Sequence, residues 1–145
     1  MSLFSLLSVS ASGMSAQRTR AELLVENLAN SETTRTPEGG PYRRKDAIFS
    51  SAPQSSPFSA EFQREMGGFS NGVEVSEIYT DTREPEKRFL PGHPDADTAG
   101  YVAYPRINPA EDMADLMAAT RGYHANVSAM SAVKDMIQKS IDLMR

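Results

Sequence analysis

His93, Asp95 and Asp97 alternate beside Pro91 and Pro94, and of all the side chains in this sequence they come closest to a chemical site. An imidazole and two carboxylates on alternate residues suggest an oxygen-rich or zinc site. A catalytic zinc, however, needs three protein ligands in fixed geometry with partners behind them. The other histidine, His124, lies far along the chain at a helical position. Asp95 and Asp97 read better as side chains that cap turns. No glycine-rich run has the spacing of a phosphate loop or a dinucleotide fingerprint. No motif assembles a serine–histidine–aspartate or cysteine–histidine set. The chain has no cysteine, which removes disulfides and thiolate metal sites together. The sequence therefore predicts no catalytic residue, no cofactor, no metal and no small-molecule substrate. Arg43, Arg44 and Lys45 form a basic run that reads as a solvated surface, with contact to an acidic partner as the alternative.

The elements around these groups are mostly helical. In the first thirty residues Leu3, Leu7, Met14, Ala21, Leu24 and Leu28 recur in a heptad-like seam, with Ser10 and Gln17 at its polar positions. Such a seam is buried against another helix. Asn30 and Ser31 suit a helix end, Thr33, Thr34 and Thr36 continue a helix poorly, and Pro37, Gly39, Gly40 and Pro41 forbid one. At the far end Met113, Leu116, Thr120, Tyr123, Val127, Met130, Lys134, Ile137, Ile141 and Met144 alternate by three and four, and only two of them are polar. Asn108 and Pro109 open that helix as N-cap and first helical position, with Glu111 and Asp112 in its first turn. Each helix also carries a stripe of small side chains: Ser5, Ser8, Ser12, Ser15 and Thr19 in the first, and Ala118, Gly122, Ala125, Ala129 and Ala132 in the second. Small residues allow another backbone to come close, so each helix is expected to use two faces, one for its mate in the chain and one for neighbouring subunits.

Between the helices the chain is rich in Pro, Gly and Ser. The sequence predicts short strands over Ala47–Ser50, Val73–Thr80 and Tyr101–Tyr104. It predicts a loop over Ser50–Ser59, a short helix over Phe58–Met66, a turn at Gly67, Gly68, Asn71 and Gly72, and a charged turn over Arg83–Arg88. The expected fold is mainly α with a small β- and loop-rich insert. The N- and C-terminal helices pair as an antiparallel coiled coil over 1–30 and 109–145, and 31–108 forms the middle domain.

The chain has 145 residues, a net charge of −4 and 39% hydrophobic residues, which suits one globular domain, or one small domain plus a helical stalk. A mean hydropathy of −0.44 excludes an integral membrane protein, and mild acidity argues against nucleic acid as a partner. The stretch before Arg18 is uncharged, but no basic residue precedes it and serine interrupts it repeatedly. It is therefore expected to be neither a cleaved signal peptide nor a membrane span. As a helix it reaches only about 26 Å, against a hydrocarbon core of about 30 Å.

Three stretches carry a resemblance. SGMSAQRTRAELLVENLANSETT (Ser12–Thr34) resembles the signature of bacterial flagellar rod and hook proteins, a small-residue helix that ends in an N-L-A-N-x-x-T-T-like turn. EPEKRFLPGHPDADTAGYVAYPRIN (Glu84–Asn108) is similar to the segment that distinguishes the C-type proximal rod proteins of the basal body. ATRGYHANVSAMSAVKDMIQKSIDL (Ala119–Leu143) is similar to their matching terminal helix. The resemblance implies a structural subunit of the flagellar rod, exported by the flagellar type III apparatus without cleavage and standing in the periplasm. It implies an inner tube of terminal helices with the middle domain facing outward. The implied partners are copies of the chain, other rod proteins, the motor ring and the distal rod. The subunit contacts expected on that reading are Leu3, Leu7, Ser12, Met14, Leu24, Leu28 and Asn30 from the first helix. From the second they are Leu116, Tyr123, Ala125, Val127, Met130, Ile137 and Ile141. The competing expectations are a secreted helical adaptor that docks without polymerising, and a cell-wall hydrolase that uses His93, Asp95 or Asp97.

Overall fold

The structure is a computed structural model, and it describes residues 3–51 and 72–143. Helix α1 (Leu3–Ala29) is followed by strands β1 (Lys45–Ser51), β2 (Val73–Thr80), β3 (Glu86–Phe89) and β4 (Tyr101–Tyr104), and then by helix α2 (Pro109–Leu143). The predicted helix over Phe58–Met66, the Gly67–Asn71 turn and most of the Ser50–Ser59 loop lie outside the described residues.

Helix α2 begins as its sequence predicts. The Asn108 side chain accepts the Ala110 N–H at 3.2 Å, and its carbonyl takes the Asp112 N–H at 3.0 Å, so the first helical donors are satisfied. Helix α1 ends at the expected asparagine. Asn30 donates its side-chain amide to the Glu26 carbonyl at 2.9 Å, and its Oδ1 accepts the Thr33 hydroxyl at 3.2 Å.

The two helices pack against each other antiparallel. Arg20 meets Asp115 at 3.5 Å, Gly122 faces the Gln17 side chain, and Gly13 faces Asn126. A Cβ at Gly13 would stand 3.0 Å from the Asn126 amide, so this helix pair closes on glycine. The buried line on α2 runs through Asp112, Ala119 and Val133, with Gly122 and Asn126 half-buried between them. The periodic seam had placed Met113, Thr120, Tyr123, Val127 and Lys134 in this contact. Instead Met113 is 52% exposed and Tyr123 and Val127 also lie open, while Leu116, Met130 and Ile137 of the same seam are half-buried. Only part of the seam therefore faces α1, and the fully buried positions precede its exposed members by one residue, roughly 100° of helix. The physical reason is the small and polar line that α1 offers: Gly13, Ala16, Gln17 and Arg20 admit a backbone and hydrogen-bonding groups rather than large knobs. Part of the small-residue stripe, Gly122, therefore sits inside the chain, while Ala118, Ala125, Ala129 and Ala132 stay exposed.

Asn126 lies seventeen residues before Leu143, and Gly13 ten residues after Leu3. The tail of α2 therefore runs about 10 Å past the described start of α1. Met136 and Ile141 are about half exposed there, and Leu143 is 88% exposed.

The insert is two antiparallel hairpins. β1 pairs with β2 from Lys45↔Thr80 to Ser51↔Val73, with a bulge where Ile48 faces Glu77 and Phe49 faces Val75. Ser76 is the extra residue, and its hydroxyl donates to the Ile48 carbonyl at 3.1 Å. β3 pairs with β4 from Glu86↔Tyr104 to Phe89↔Tyr101. The predicted β2 and β4 match residue for residue. β1 is longer than Ala47–Ser50 at both ends. Arg83–Arg88 is not simply a charged turn, because Glu86–Phe89 pairs with the apolar β4 and is pulled into a strand by that partner despite its own polar composition. Phe89 meets Tyr101 edge to face at 5.3 Å, and Arg88 lies over the Tyr104 ring at 4.8 Å.

The core of the described residues is small. Ala16, Leu23, Leu24, Tyr42, Val102, Ala119 and Val133 are its buried apolar members. Ile48, Phe49, Ile78, Tyr79, Phe89 and Tyr101 are exposed on the hairpins. Two-stranded ribbons are marginal alone, and these are held to the helices by a polar junction.

Candidate subunit-contact surface and the polar junction that orients it

The junction starts at Asn27, in the last turns of α1, which is 0% exposed. Its side-chain amide donates to the Lys45 carbonyl at 2.8 Å, and its Oδ1 accepts the Lys45 N–H at 2.9 Å. One amide thus pairs with both backbone groups of a single residue, as a strand neighbour would. The Tyr42 hydroxyl donates to the same Oδ1 at 3.1 Å. Burial, with Glu26 nearby, pushes the Tyr42 phenol well above its ordinary range. Lys45 Nζ adds a contact to Glu26 at 2.6 Å. β1 therefore starts where α1 tells it to start.

A second tie joins β1 to α2. Arg44 contacts the buried Asp112 at 2.9 Å and Asp46 at 3.1 Å. Burial pushes the Asp112 carboxyl above the usual carboxylate range, against the pull of Arg44. Burial also opposes the Arg44 charge, but Asp46 and Asp112 together hold its pKa above the ordinary value. Asp112 Oδ2 is buried without a hydrogen-bond partner. At the end of β2, Asp81 is buried and takes the Arg83 side chain through both oxygens, at 2.6 to 2.9 Å. The Arg83 hydrogen bonds hold the Asp81 carboxyl down at about 2.

The three residues that came closest to a metal site are occupied with loop structure. Asp97 Oδ1 accepts the N–H groups of Ala99 and Tyr101, each at 2.9 Å, which is the turn-capping role expected of it. Asp95 Oδ2 accepts the Thr34 hydroxyl at 2.8 Å and so ties the β3–β4 loop to the stretch after α1. The Asp95 N–H donates to His93 Nδ1 at 3.1 Å. Among the described residues, no set of three His, Cys, Asp or Glu side chains could hold a metal ion, and no helix is long and apolar enough to cross a membrane.

The predicted contact residues fall into three groups. Leu24 is buried within the chain, and Leu7, Met14, Leu28, Leu116, Met130 and Ile137 are half-buried there. Ser12 and Asn30 serve the chain itself: Ser12 Oγ accepts the Val73 N–H at 3.0 Å, and Asn30 caps α1. Tyr123, Val127 and Ile141 stand open on one side of α2, Ala125 is exposed on a different side, and Met113 and Met117 are also exposed. The side chain of Leu3 lies outside the described residues. Periodicity passed over Asn27, Asp112 and Tyr42. A polar residue at a helical position next to the apolar Leu23–Leu24 pair was the available sign for Asn27.

The surface therefore combines an oriented, hydrogen-bonded insert with a long helix on which several apolar side chains, among them Met113, Met117, Tyr123 and Ile141, stay exposed among the described residues. Residues 98–143 match the family described as "Flagellar basal body rod FlgEFG protein C-terminal". The chain is similar over its whole length to proteins named "Flagellar basal-body rod protein FlgC". It is 41% identical to the one from Bacillus subtilis, over 99% of both chains. Identity is 34% to that of Borreliella burgdorferi, over 100% of this chain and 99% of the relative. It is 32% to that of Escherichia coli O6:H1, over 99% and 98%. With similarity of this degree from end to end, the chain belongs to the flagellar basal-body rod protein FlgC family.

Proposed function

We propose that the chain builds the proximal part of the flagellar rod, where its helix pair bundles with copies of itself and with other rod proteins. It is a structural subunit of the basal-body rod, not an enzyme. The observation that carries this reading is 41% identity, over 99% of both chains, to a flagellar basal-body rod protein. The exposed apolar residues of α2 support it, because a helix gains most of its stability by packing such a face, and Tyr123, Val127 and Ile141 are only partly covered among the described residues, at 39%, 37% and 50% exposed. In the bundle, residues 1–30 and 109–145 would form a coiled-coil-like inner core and 31–108 an outward-facing domain. Leu3, Leu7, Met14 and Leu28 would complete the contact with Tyr123, Ala125, Val127 and Ile141. The chain then serves as part of the drive shaft that carries torque from the motor ring to the hook. It reaches the periplasm through the flagellar type III route, uncleaved. Deleting its gene should abolish flagella, and the intact gene supplied in trans should restore them. Flagella that persist in the deletion strain would favour the adaptor reading, in which the helices dock without polymerising.

A further inference from the structure

Four arginines converge where the insert meets the start of α2. Arg43, Arg44, Arg83 and Arg106, with Tyr42, Pro85 and Pro105, line a cavity of about 90 Å³, and Asp81 is the one carboxylate in its wall. Arg83 is committed to Asp81 through both oxygens, and Arg44 to Asp112 and Asp46. The other two guanidinium groups form no salt bridge among the described residues, though Arg106 stands near enough to Asp81 to help hold its charge. Arg43 reaches only the Asp81 carbonyl, at 3.4 Å, and Arg106 is exposed beside them. The cavity exceeds the roughly 30 Å³ share of one water molecule, and a fork of paired guanidinium donors matches a carboxylate in shape and charge.

We propose that this cavity receives a carboxylate side chain from a second copy of the chain, held between Arg43 and Arg106. The proposal rests on the rod reading and names one contact within it. Charge decides the occupant. The chain is acidic, at −4, so the surface complementary to this basic cavity lies elsewhere on the same molecule. Glu74, Glu77 and Glu84, for example, are exposed and ion-paired with nothing among the described residues. A two-fold dimer through the cavity would set arginine against arginine. A basic cavity that meets an acidic surface elsewhere on the next copy can repeat head to tail, and a contact of that kind whose rotation does not close gives an open helical assembly.

The test uses the full-length chain in a strain that lacks its own copy. Arg43→Gln with Arg106→Gln should be produced at the normal level but reduce swimming halos at least about threefold, because a truncated interfacial charge pair leaves the other charge unpaired. Arg43→Lys with Arg106→Lys keeps the charge and should swim. Basal bodies isolated from the lysine strain and treated with a carbodiimide should give a dimer-sized product, with position 43 or 106 joined to an acidic peptide of this same chain. Normal swimming of the glutamine variant overturns the proposal and leaves the rod reading intact. Crosslinks from 43 and 106 that map only to a different protein, or none at all, also overturn it. A deletion strain that keeps its flagella overturns the rod reading, and this contact with it.

Discussion

Replacing Asn27 tests whether one buried amide holds the insert to the helices. Asn27→Ala removes the partner of the Lys45 N–H, the Lys45 carbonyl and the Tyr42 hydroxyl at once. A hydrogen bond contributes about 1 kcal/mol net, and a buried group left without one costs about 1–3 kcal/mol. Lys45 is only half-buried, so water can reach part of the gap, and the expected loss is about 3 kcal/mol. That is a large share of a stability of roughly 5–15 kcal/mol, and in a chain of this length it lowers Tm by about 10 °C. Tyr42→Phe deletes one of the three bonds and should cost about 1 kcal/mol. The double variant should cost less than the sum of the two, since both singles break the Tyr42–Asn27 bond. Urea unfolding of the purified chain followed by circular dichroism gives all three numbers. The reasoning is wrong if Asn27→Ala costs under about 1 kcal/mol, or if Tyr42→Phe costs as much as Asn27→Ala.

Breaking the Arg44–Asp112 tie should be asymmetric. Arg44→Ala strands a buried carboxylate and should cost about 3 kcal/mol, whereas Asp112→Asn, whose Oδ2 already lacks a partner, should cost far less by the same unfolding assay. Gly13→Leu should destabilise by about 1–3 kcal/mol, because the new side chain drives into Asn126 across the helix pair. Ala125→Glu, at an exposed position on α2, should leave the melting curve of the monomer unchanged and abolish swimming. Asp81 should make the chain acid-sensitive. Its pKa is about 2 in the folded chain against the ordinary 3.8, so the unfolded chain binds the proton more readily. That contribution is present above pH 4 and lost as pH falls toward 2. Arg83→Gln should remove this pH dependence from an acid titration of stability.

Much of the fold was legible in local residue chemistry. Asn108 and Pro109 announce the start of α2, Asn30 and the threonines mark the end of α1, and alternation finds β2 and β4, because each signal is a property of a few consecutive residues. The β3 strand was not legible. Glu86–Phe89 has no strand pattern of its own, and becomes a strand because Tyr101–Tyr104 lies beside it. The face each helix turns to its mate was not legible either. Periodicity finds the apolar stripe of α2 correctly, but a stripe does not say which partner covers it.

By itself, then, the sequence determined that two helices flank a loop-rich insert, that no familiar catalytic motif is spelled out, and that the chain resembles flagellar rod proteins. Only the tertiary structure decided that the helices close on Gly13 and Gly122 while Tyr123, Val127 and Ile141 stay open. It also decided that Asn27, Arg44 and Asp112 tie the insert to both helices. The physical reason is distance along the chain. Caps and strand alternation are fixed within a few residues, whereas helix-to-helix rotation and buried polar pairs such as Arg44–Asp112 depend on groups far apart in sequence that meet only once the chain has folded.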